Sequence, residues 1–465
     1  MSKCLVQFQS GTLLCSFPDG TEPPVSVIPY LLFDERVEKW RAQASDYAGL
    51  IRGLHAENYE ITDEAKAYSV LDLPLKEPLI PMPHQKKALE AWKNANPPGR
   101  GVVVMPTGAG KTFLAVLAIA SVKRSALIVV PTIDLVHQWA SVLERFFSEP
   151  VGMLGGGSKE IREITVSTYD SAVIMMEHIG NRFGIVIFDE CHHLPGEVNR
   201  TAAAMAIAPY RLGLSATPER EDGGEAVLFQ LVGPKVCEIF IDELEGNVLA
   251  PYITRRIEVP LLPEEEKEYQ EARALYTGFI RANRIDFSGK DGWSQFIILC
   301  ARRPNGREAM KAYLRQRSIA RCGRAKLQVL WDLLASHRGE RTIIFTADND
   351  AAYTIGETFC LPVITHKTKA AERKEFLDRF RDGTYPVIVT SKVLNEGVDV
   401  PEAAVGIVVS GSGSTREHVQ RLGRILRSAK GKQAELFELV SQGTGEVYTS
   451  DRRRSTRAYR RKGSC

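Results

Sequence analysis

A chain of 465 residues, 44% hydrophobic and 25% charged, has room for two or three domains with separate cores. The net charge of +3 hides an asymmetry: the last fifteen residues, DRRRSTRAYRRKGSC, carry +6, so the remaining 450 sum to −3. That excludes a uniformly basic nucleic-acid coat, and eight cysteines without a C-x-x-C pair exclude a zinc or disulfide framework and fit a reducing cytoplasm.

Residues 1–78 read as a small module. Two strand-like stretches, Leu5–Phe8 and Thr12–Phe17, flank a Ser-Gly turn, and helix-like segments follow from Asp34. The opening residues lack the continuous apolar core of a signal peptide. The Pro-punctuated run LPLKEPLIPMP reads as a linker. From His84 the pattern becomes apolar strand, glycine-rich turn, helix, repeated. GVVVMP, ALIVVP, ITVSTY, GIVIFDE and RLGLSAT are short buried-type strands, and their alternation with helical patterns predicts a parallel, doubly wound sheet over 79–240. The longest apolar run, FLAVLAIASV, is far short of a membrane span. A second set, RTIIFTA, PVITH, PVIVTS and AVGIVVSG, predicts a second α/β lobe that starts at 241–263 and resumes over 321–445. The charged segment 264–320 between them has a helical pattern and reads as an insertion. The basic tail, 446–465, is expected to be disordered and to make non-specific phosphate contacts.

MPTGAGKT, Met105 to Thr112, follows a strand and opens a helix. With Thr107 and Ala109, Gly108 and Gly110 form a loop whose N–H groups can wrap phosphate oxygens; Lys111 brings a point charge, and the Thr112 hydroxyl can hold magnesium. The first glycine of the usual pattern is replaced by Met105. IVIFDECHH ends a buried strand in Asp189, which can hold the cation, and Glu190, which can orient or deprotonate an attacking water. His192 and His193 read as hydrogen-bonding links to the next strand end, Ser215-Ala216-Thr217. In STREHVQRLGRILRS, Gln420, Arg421, Arg424 and Arg427 share one face of a predicted helix. Arginines presented to a transferring phosphoryl group stabilise its charge, an effect worth roughly a thousandfold or more in rate.

In this order and spacing, MPTGAGKT, DECHH, SAT, VLNEGVDVPEA and QRLGRILR resemble motifs I, II, III, V and VI of superfamily 2 DExH-type helicases, over roughly residues 80 to 445. The resemblance implies two RecA-like lobes facing each other across a cleft, with ATP and Mg2+ as cofactors. Gln85 would read the adenine, although Met82 and His84 depart from the family's neighbours there. Gly397, Asp399 and Gln420 would complete the nucleotide site. VVPTIDLVHQW resembles motif Ia, GGGSKE and VSTYDS the backbone-contacting motifs that follow, and IIFTADND motif IV; the resemblance implies Thr132, Gly156, Thr168, Thr346 and Thr390 as contacts to the sugar-phosphate backbone of one strand.

Arg220-Glu221-Asp222, directly after the third motif, is similar to the RED motif of XPB-type helicases. The insertion at 264–320 lies where that family carries a thumb, and the N-terminal module lies where compact archaeal members carry a damage-recognition domain. The resemblance implies an ATP-dependent 3′–5′ DNA helicase or translocase of nucleotide excision repair. It would act on single strands and on forked or damaged duplex, with the triplet gripping or wedging DNA and a nuclease as partner. A prokaryotic, archaeal-type cytoplasmic setting, associated with the nucleoid, is expected. Two alternatives stand beside it: a translocase subunit of a restriction-type system, and a damage-binding protein switched by ATP with little unwinding of its own.

Overall fold

The computed structural model describes residues 2–18, 22–219, 223–244, 252–287, 291–391, 403–411 and 434–454. The chain divides into two units, Met1–Phe240 and Ile241–Cys465.

The first unit opens with a five-stranded sheet, order β3-β4-β2-β1-β5, made of β1 (Lys3–Gln9), β2 (Thr12–Ser16), β3 (Leu32–Asp34), β4 (Lys39–Gln43) and β5 (Glu60–Asp63). Helix α1 (Tyr47–Ala56) packs on it through Tyr47, Leu50 and Leu54. The helical expectation from Asp34 onward is therefore corrected: KWRAQ forms β4, because Ala42 faces the core while its charged neighbours flank the ladder. The module docks on the chain that follows it. Ile207 lies in the module's own core, and Asn181 Nδ2 donates to the Ala65 carbonyl at 3.0 Å. The linker is strapped along the next domain, with Leu71 N donating to Lys123 O at 2.9 Å and Ser148 N donating to Pro74 O at 3.0 Å.

After α2 (Pro83–Lys93) comes an eight-stranded sheet. Its strands are β6 (Arg100–Val104), β7 (Ala126–Val130), β8 (Val151–Gly155), β9 (Ser158–Lys159), β10 (Ile164–Thr168), β11 (Ile185–Asp189), β12 (Tyr210–Ser215) and β13 (Lys235–Glu238). The order is β13-β6-β12-β11-β7-β10-β8-β9, parallel throughout except for the β8–β9 hairpin. The connecting helices are α3 (Lys111–Val122), α4 (Ile133–Phe146), α5 (Tyr169–Ile179), α6 (Arg200–Ala204) and α7 (Glu225–Leu231). ALIVV and IVIFD are buried at every position, as strands covered on both faces must be. Because the strands run parallel, the segments leaving their C-terminal ends collect along one edge of the sheet.

The second unit begins with α8 (Ile241–Leu244) and carries a six-stranded parallel sheet of order β14-β19-β18-β15-β17-β16. Its strands are β14 (Tyr252–Val259), β15 (Thr342–Phe345), β16 (Val363–Ile364), β17 (Val387–Thr390), β18 (Val405–Val408) and β19 (Ala434–Ser441). Between β14 and β15 lie α9 (Pro263–Ala282), α10 (Gly292–Arg302), α11 (Gly306–Cys322) and α12 (Arg324–Ser336). The first three form a helical insertion with a core of its own around Phe279, Phe296 and Ala309. Helices α13 (Asn349–Phe359) and α14 (Ala370–Arg381) follow among the described residues.

The tail expectation is corrected in part: Glu446–Arg454 is helical, α15, rather than disordered. The reason is a buried ion pair. Lys326, 1% exposed, donates to the Val409 carbonyl at 2.7 Å and pairs with Glu446 in the first turn of α15.

Candidate functional site

The loop from Met105 to Gly110 leaves β6 and turns into α3. Gly108 and Gly110 sit at φ 86° and 84°, where a side chain is strained, and a Cβ on Gly110 would stand 2.3 Å from Gln85 Nε2. Gln85 is buried, accepts from Met82 N at 2.9 Å and turns its amide nitrogen toward the Gly110 carbonyl at 3.5 Å. His84 Nε2 lies 2.9 Å from the Ala109 carbonyl. The adenine-side candidate and the phosphate-loop candidates are thus one bonded unit. Ala109 is buried, Thr107 is half-buried within the loop, and Thr112 is half-buried in the first turn of α3.

Opposite this loop stands the end of β11. Lys111 Nζ and Glu190 Oε1 are 2.9 Å apart, with both side chains nearly buried. Glu190 adopts φ 45°, a left-handed conformation that costs a non-glycine residue energy. Asp189 is buried; it accepts from Trp139 Nε1 at 2.9 Å and from Glu190 N at 3.0 Å. Burial, with the Glu190 charge beside it, pushes the Asp189 carboxyl up to about 6, against the pull of Lys111 and the two donors.

His192 Nδ1 lies 3.1 Å from Ser215 Oγ and 3.5 Å from Glu190 Oε2, and Thr217 N donates to Ser215 Oγ at 3.1 Å. His192 is therefore the link between the acidic strand end and the SAT strand end. The His193 ring packs at a tilt against His192 at 4.4 Å and Tyr169 at 6.2 Å between centroids. Met105 N donates to the Ser215 carbonyl at 3.0 Å, which closes the circle back to the phosphate loop.

A nucleotide and a magnesium ion fit this arrangement. The glycine cradle is one a Cβ would fill, and Thr217 Oγ1 is buried with no hydrogen-bond partner among the described residues. Those residues hold no group of three or more His, Cys, Asp or Glu that would cage a metal. Thr112 and Asp189 are the candidate ligands for Mg2+, an ion commonly held by one or two protein oxygens together with phosphate oxygens and water.

The strand-contact candidates of this unit lie farther along the same edge. Thr132 is the N-cap of α4 and accepts from Leu135 N at 3.4 Å; Thr168 is the N-cap of α5 and accepts from Ser171 N at 3.2 Å. Gly156 sits at φ 58° in the β8–β9 turn, where a Cβ would meet the Ile133 side chain at 3.0 Å. Since β7, β10 and β8 are neighbours, the three candidates are brought together.

In the second unit the outcome differs. Thr346 and Thr390 follow β15 and end β17 as expected, but both are fully buried. Thr346 Oγ1 donates to Asp348 O at 2.9 Å and Thr390 Oγ1 donates to Ser391 O at 3.2 Å. Both hydroxyls are thus bonded within the lobe rather than presented at its surface. Arg220, Glu221, Asp222, Gly397, Asp399, Gln420, Arg424 and Arg427 lie outside the described residues.

Sequence reasoning missed Trp139 and Tyr169. Nothing local announces that Trp139 Nε1 reaches Asp189, fifty residues on, or that Tyr169 Oη donates to the Asp189 carbonyl at 3.1 Å.

Three family models match the chain. The damage recognition domain of the xeroderma pigmentosum group B helicase matches residues 6–65, the res subunit of type III restriction enzymes matches 79–220, and the ERCC3/RAD25/XPB C-terminal helicase matches 308–457. A DNA 3′-5′ translocase XPB2 of Sulfurisphaera tokodaii is 40% identical over 92% of this chain and 96% of its own. The chain belongs to the XPB helicase family. The DNA 3′-5′ helicase XPB of Mycobacterium tuberculosis is 33% identical over 88% of this chain and 67% of its own, and a Rad25 of Halobacterium salinarum is 28% identical over 88% and 62%. This XPB-family chain is thus nearly coextensive with the Sulfurisphaera relative and spans about two thirds or less of the longer ones. Among solved structures, the Hef helicase domain of Pyrococcus furiosus aligns over 79% of this chain and 97% of its own, with TM-score 0.53 at 18% identity. S. cerevisiae Dbp5 bound to RNA and ADP BeF3 aligns over 80% and 87%, with TM-score 0.55 at 16% identity. These likenesses support a fold of RecA-like helicase lobes. Among the described residues, no helix is long and apolar enough to cross a membrane.

Proposed function

We propose that this XPB-family chain is an ATP-dependent 3′–5′ DNA helicase or translocase that opens or remodels duplex DNA in nucleotide excision repair. The observation that carries the reading is the junction of Lys111, Glu190 and Asp189 with His192 and Ser215 on the edge that also bears Thr132, Gly156 and Thr168. One edge thereby joins phosphate chemistry to strand contact.

The residues divide the work as follows. Gln85 and the 107–112 loop would hold ATP, and Thr112 with Asp189 would hold Mg2+, which would supply charge stabilisation to the transferring phosphoryl group. Lys111 and Glu190 neutralise each other across 2.9 Å, so phosphate oxygens that draw Lys111 away also release Glu190 to take a proton from water. His192 passes the position of Glu190 to Ser215 and Thr217. Gly397, Asp399, Gln420, Arg424 and Arg427 complete the nucleotide site on the strength of the family resemblance, and Arg220, Glu221 and Asp222 grip or wedge DNA. A nuclease is the expected repair partner, and cytoplasm the expected setting.

The match of residues 79–220 to the restriction-enzyme subunit favours a second reading, a restriction-type translocase. That match covers only the first lobe, whereas the XPB-type models account for the N-terminal module and the second lobe. ATP hydrolysis measured with and without single-stranded DNA, in wild type and Glu190→Gln, tests the motor. Wild-type turnover that DNA does not stimulate would sink it and leave the ATP-switched binding protein. Strand displacement on forked against blunt duplex then separates unwinding from translocation.

A further inference from the structure

Two hydrogen bonds reach Asp189 from the two segments that carry Thr132 and Thr168. Trp139 Nε1 donates to its carboxylate at 2.9 Å, and Tyr169 Oη donates to its backbone carbonyl at 3.1 Å. Both donors are buried, at 1% and 3% exposure, so solvent cannot take over either bond. Each belongs to a helix that begins at a candidate strand contact. Trp139 stands two turns into α4, which Thr132 caps, and Tyr169 is the first residue of α5, which Thr168 caps. Two helical turns span about 10 Å and are stiff, so a displacement at the Thr132 end arrives at Trp139 as a displacement of its indole N–H. The path through Tyr169 is one residue long. In addition, Ile133, the first residue of α4, lies against Gly155 and Gly156, so the third strand-contact candidate bears on the same helix end.

We propose that Trp139 and Tyr169 are positioning residues for Asp189, and that they carry strand contact at Thr132 and Thr168 to cation capture at Asp189. The relay rests on the function proposed above. It runs opposite to the His192–Ser215 link: the latter connects Glu190 to the SAT segment on one side of β11, whereas Trp139 and Tyr169 reach Asp189 from the helices that follow β7 and β10 on the other side. A buried carboxylate that must face a cation needs its orientation fixed by donors, and losing such a donor commonly costs 10–100-fold in metal affinity or activity. Thermodynamic reciprocity adds a second expectation: if strand contact improves cation capture, cation capture must improve strand affinity by the same factor.

The test uses the full chain, a fluorescent non-hydrolysable ATP analogue, Mg2+ and a single-stranded oligonucleotide. The quantity read is the ratio of nucleotide affinities with and without Mg2+, measured with and without the oligonucleotide. Wild type should show a ratio that the oligonucleotide increases. Trp139→Phe, which keeps an aromatic ring and removes the N–H, should lower the ratio about 10-fold and abolish its response to the oligonucleotide. Tyr169→Phe removes a single oxygen and should act in the same sense by a smaller factor, which keeps the test decisive if the tryptophan variant does not fold. Equal loss of nucleotide affinity with and without Mg2+ would reduce both residues to packing and overturn the relay, as would variants that keep the wild-type ratio and response. Wild type whose hydrolysis DNA stimulates, combined with unaffected variants, overturns the relay alone. Absence of any DNA stimulation in wild type overturns the motor and the relay together.

Discussion

The two halves of the first lobe's sheet edge share one backbone architecture and use different chemistry. Where β6, β12 and β11 end, ionised side chains face one another in buried surroundings: Lys111 with Glu190, and Asp189 among Trp139, Tyr169 and Glu190. Where β7, β10 and β8 end, the candidates are two hydroxyl caps and a glycine turn. Charge held out of water interacts strongly and must be met by an opposite charge or by hydrogen-bond donors, which suits a site that stabilises a transferring phosphoryl group. Neutral hydroxyls and backbone groups contact phosphates without reading sequence and release them cheaply. A motor needs both, a tight chemical site and a grip that can be broken each cycle. The boundary falls between β11 and β7, where Trp139 crosses it.

The strongest way to break this comparison is to remove charge from the first half and look for damage in the second. Glu190→Gln is expected to lower DNA-stimulated ATP turnover by about 100-fold or more, the usual worth of a general base, while single-strand affinity measured by fluorescence anisotropy stays at the wild-type level. If strand affinity falls in proportion, the two halves are not chemically separate.

Proton uptake sharpens the same contrast. Asp189 must be ionised to hold a cation, and burial together with Glu190 has pushed it up to about 6. The carboxylate is therefore present above that value and lost as pH falls through it. Mg2+-supported nucleotide binding should weaken by about tenfold per pH unit below that point, with single-strand affinity measured without Mg2+ and nucleotide unaffected in the same range. Isothermal titration across pH 5 to 8 checks both; a flat Mg2+ dependence would remove Asp189 from the cation site.

Gly110→Ala should follow in size. The new methyl group would enter a left-handed position at φ 84° and meet Gln85 Nε2 at 2.3 Å, so the loop must shift or strain by roughly 1–2 kcal/mol. Nucleotide affinity should drop by about tenfold, with a modest loss of thermal stability. An unchanged affinity would show that the Gln85–Gly110 contact does not shape the cradle.

Most of the first half was legible in the sequence, because its chemistry is carried by contiguous motifs at strand ends. The strands missed were each masked by a different physical feature. AELFELVS, which forms β19, carries Glu435 and Glu438 among helix-favouring residues, and its strand state is imposed by β14 and β18 on either side. YITRRIEV, which forms β14, is an edge strand whose two arginines mask its alternation. VGMLG, which forms β8, is too rich in glycine to read as a strand. The Trp139–Asp189 bond was illegible for another reason: it is made by the stacking of α4 against the sheet, not by any local pattern. Thr346 and Thr390 show the converse, since position at a strand end did not establish that a hydroxyl faces outward.

The smallest expected effect lies at Thr132, and it separates two roles of one side chain. As the N-cap of α4 the hydroxyl accepts from Leu135 N, and losing such a cap costs about 1 kcal/mol. As a strand contact it would supply one hydrogen bond to a phosphate, also worth about 1 kcal/mol. Thr132→Ala removes both, Thr132→Ser keeps both, and Thr132→Asp keeps the cap while placing a negative charge against the phosphate. Thermal melting should therefore rank alanine below the other two. Single-strand affinity should rank aspartate and alanine below serine and wild type, by the same factor for every oligonucleotide sequence, because a phosphate contact carries no base information. An aspartate variant that melts like wild type and also binds like wild type would leave Thr132 as a helix cap and nothing more, and the neutral half of the edge would then begin at Thr168.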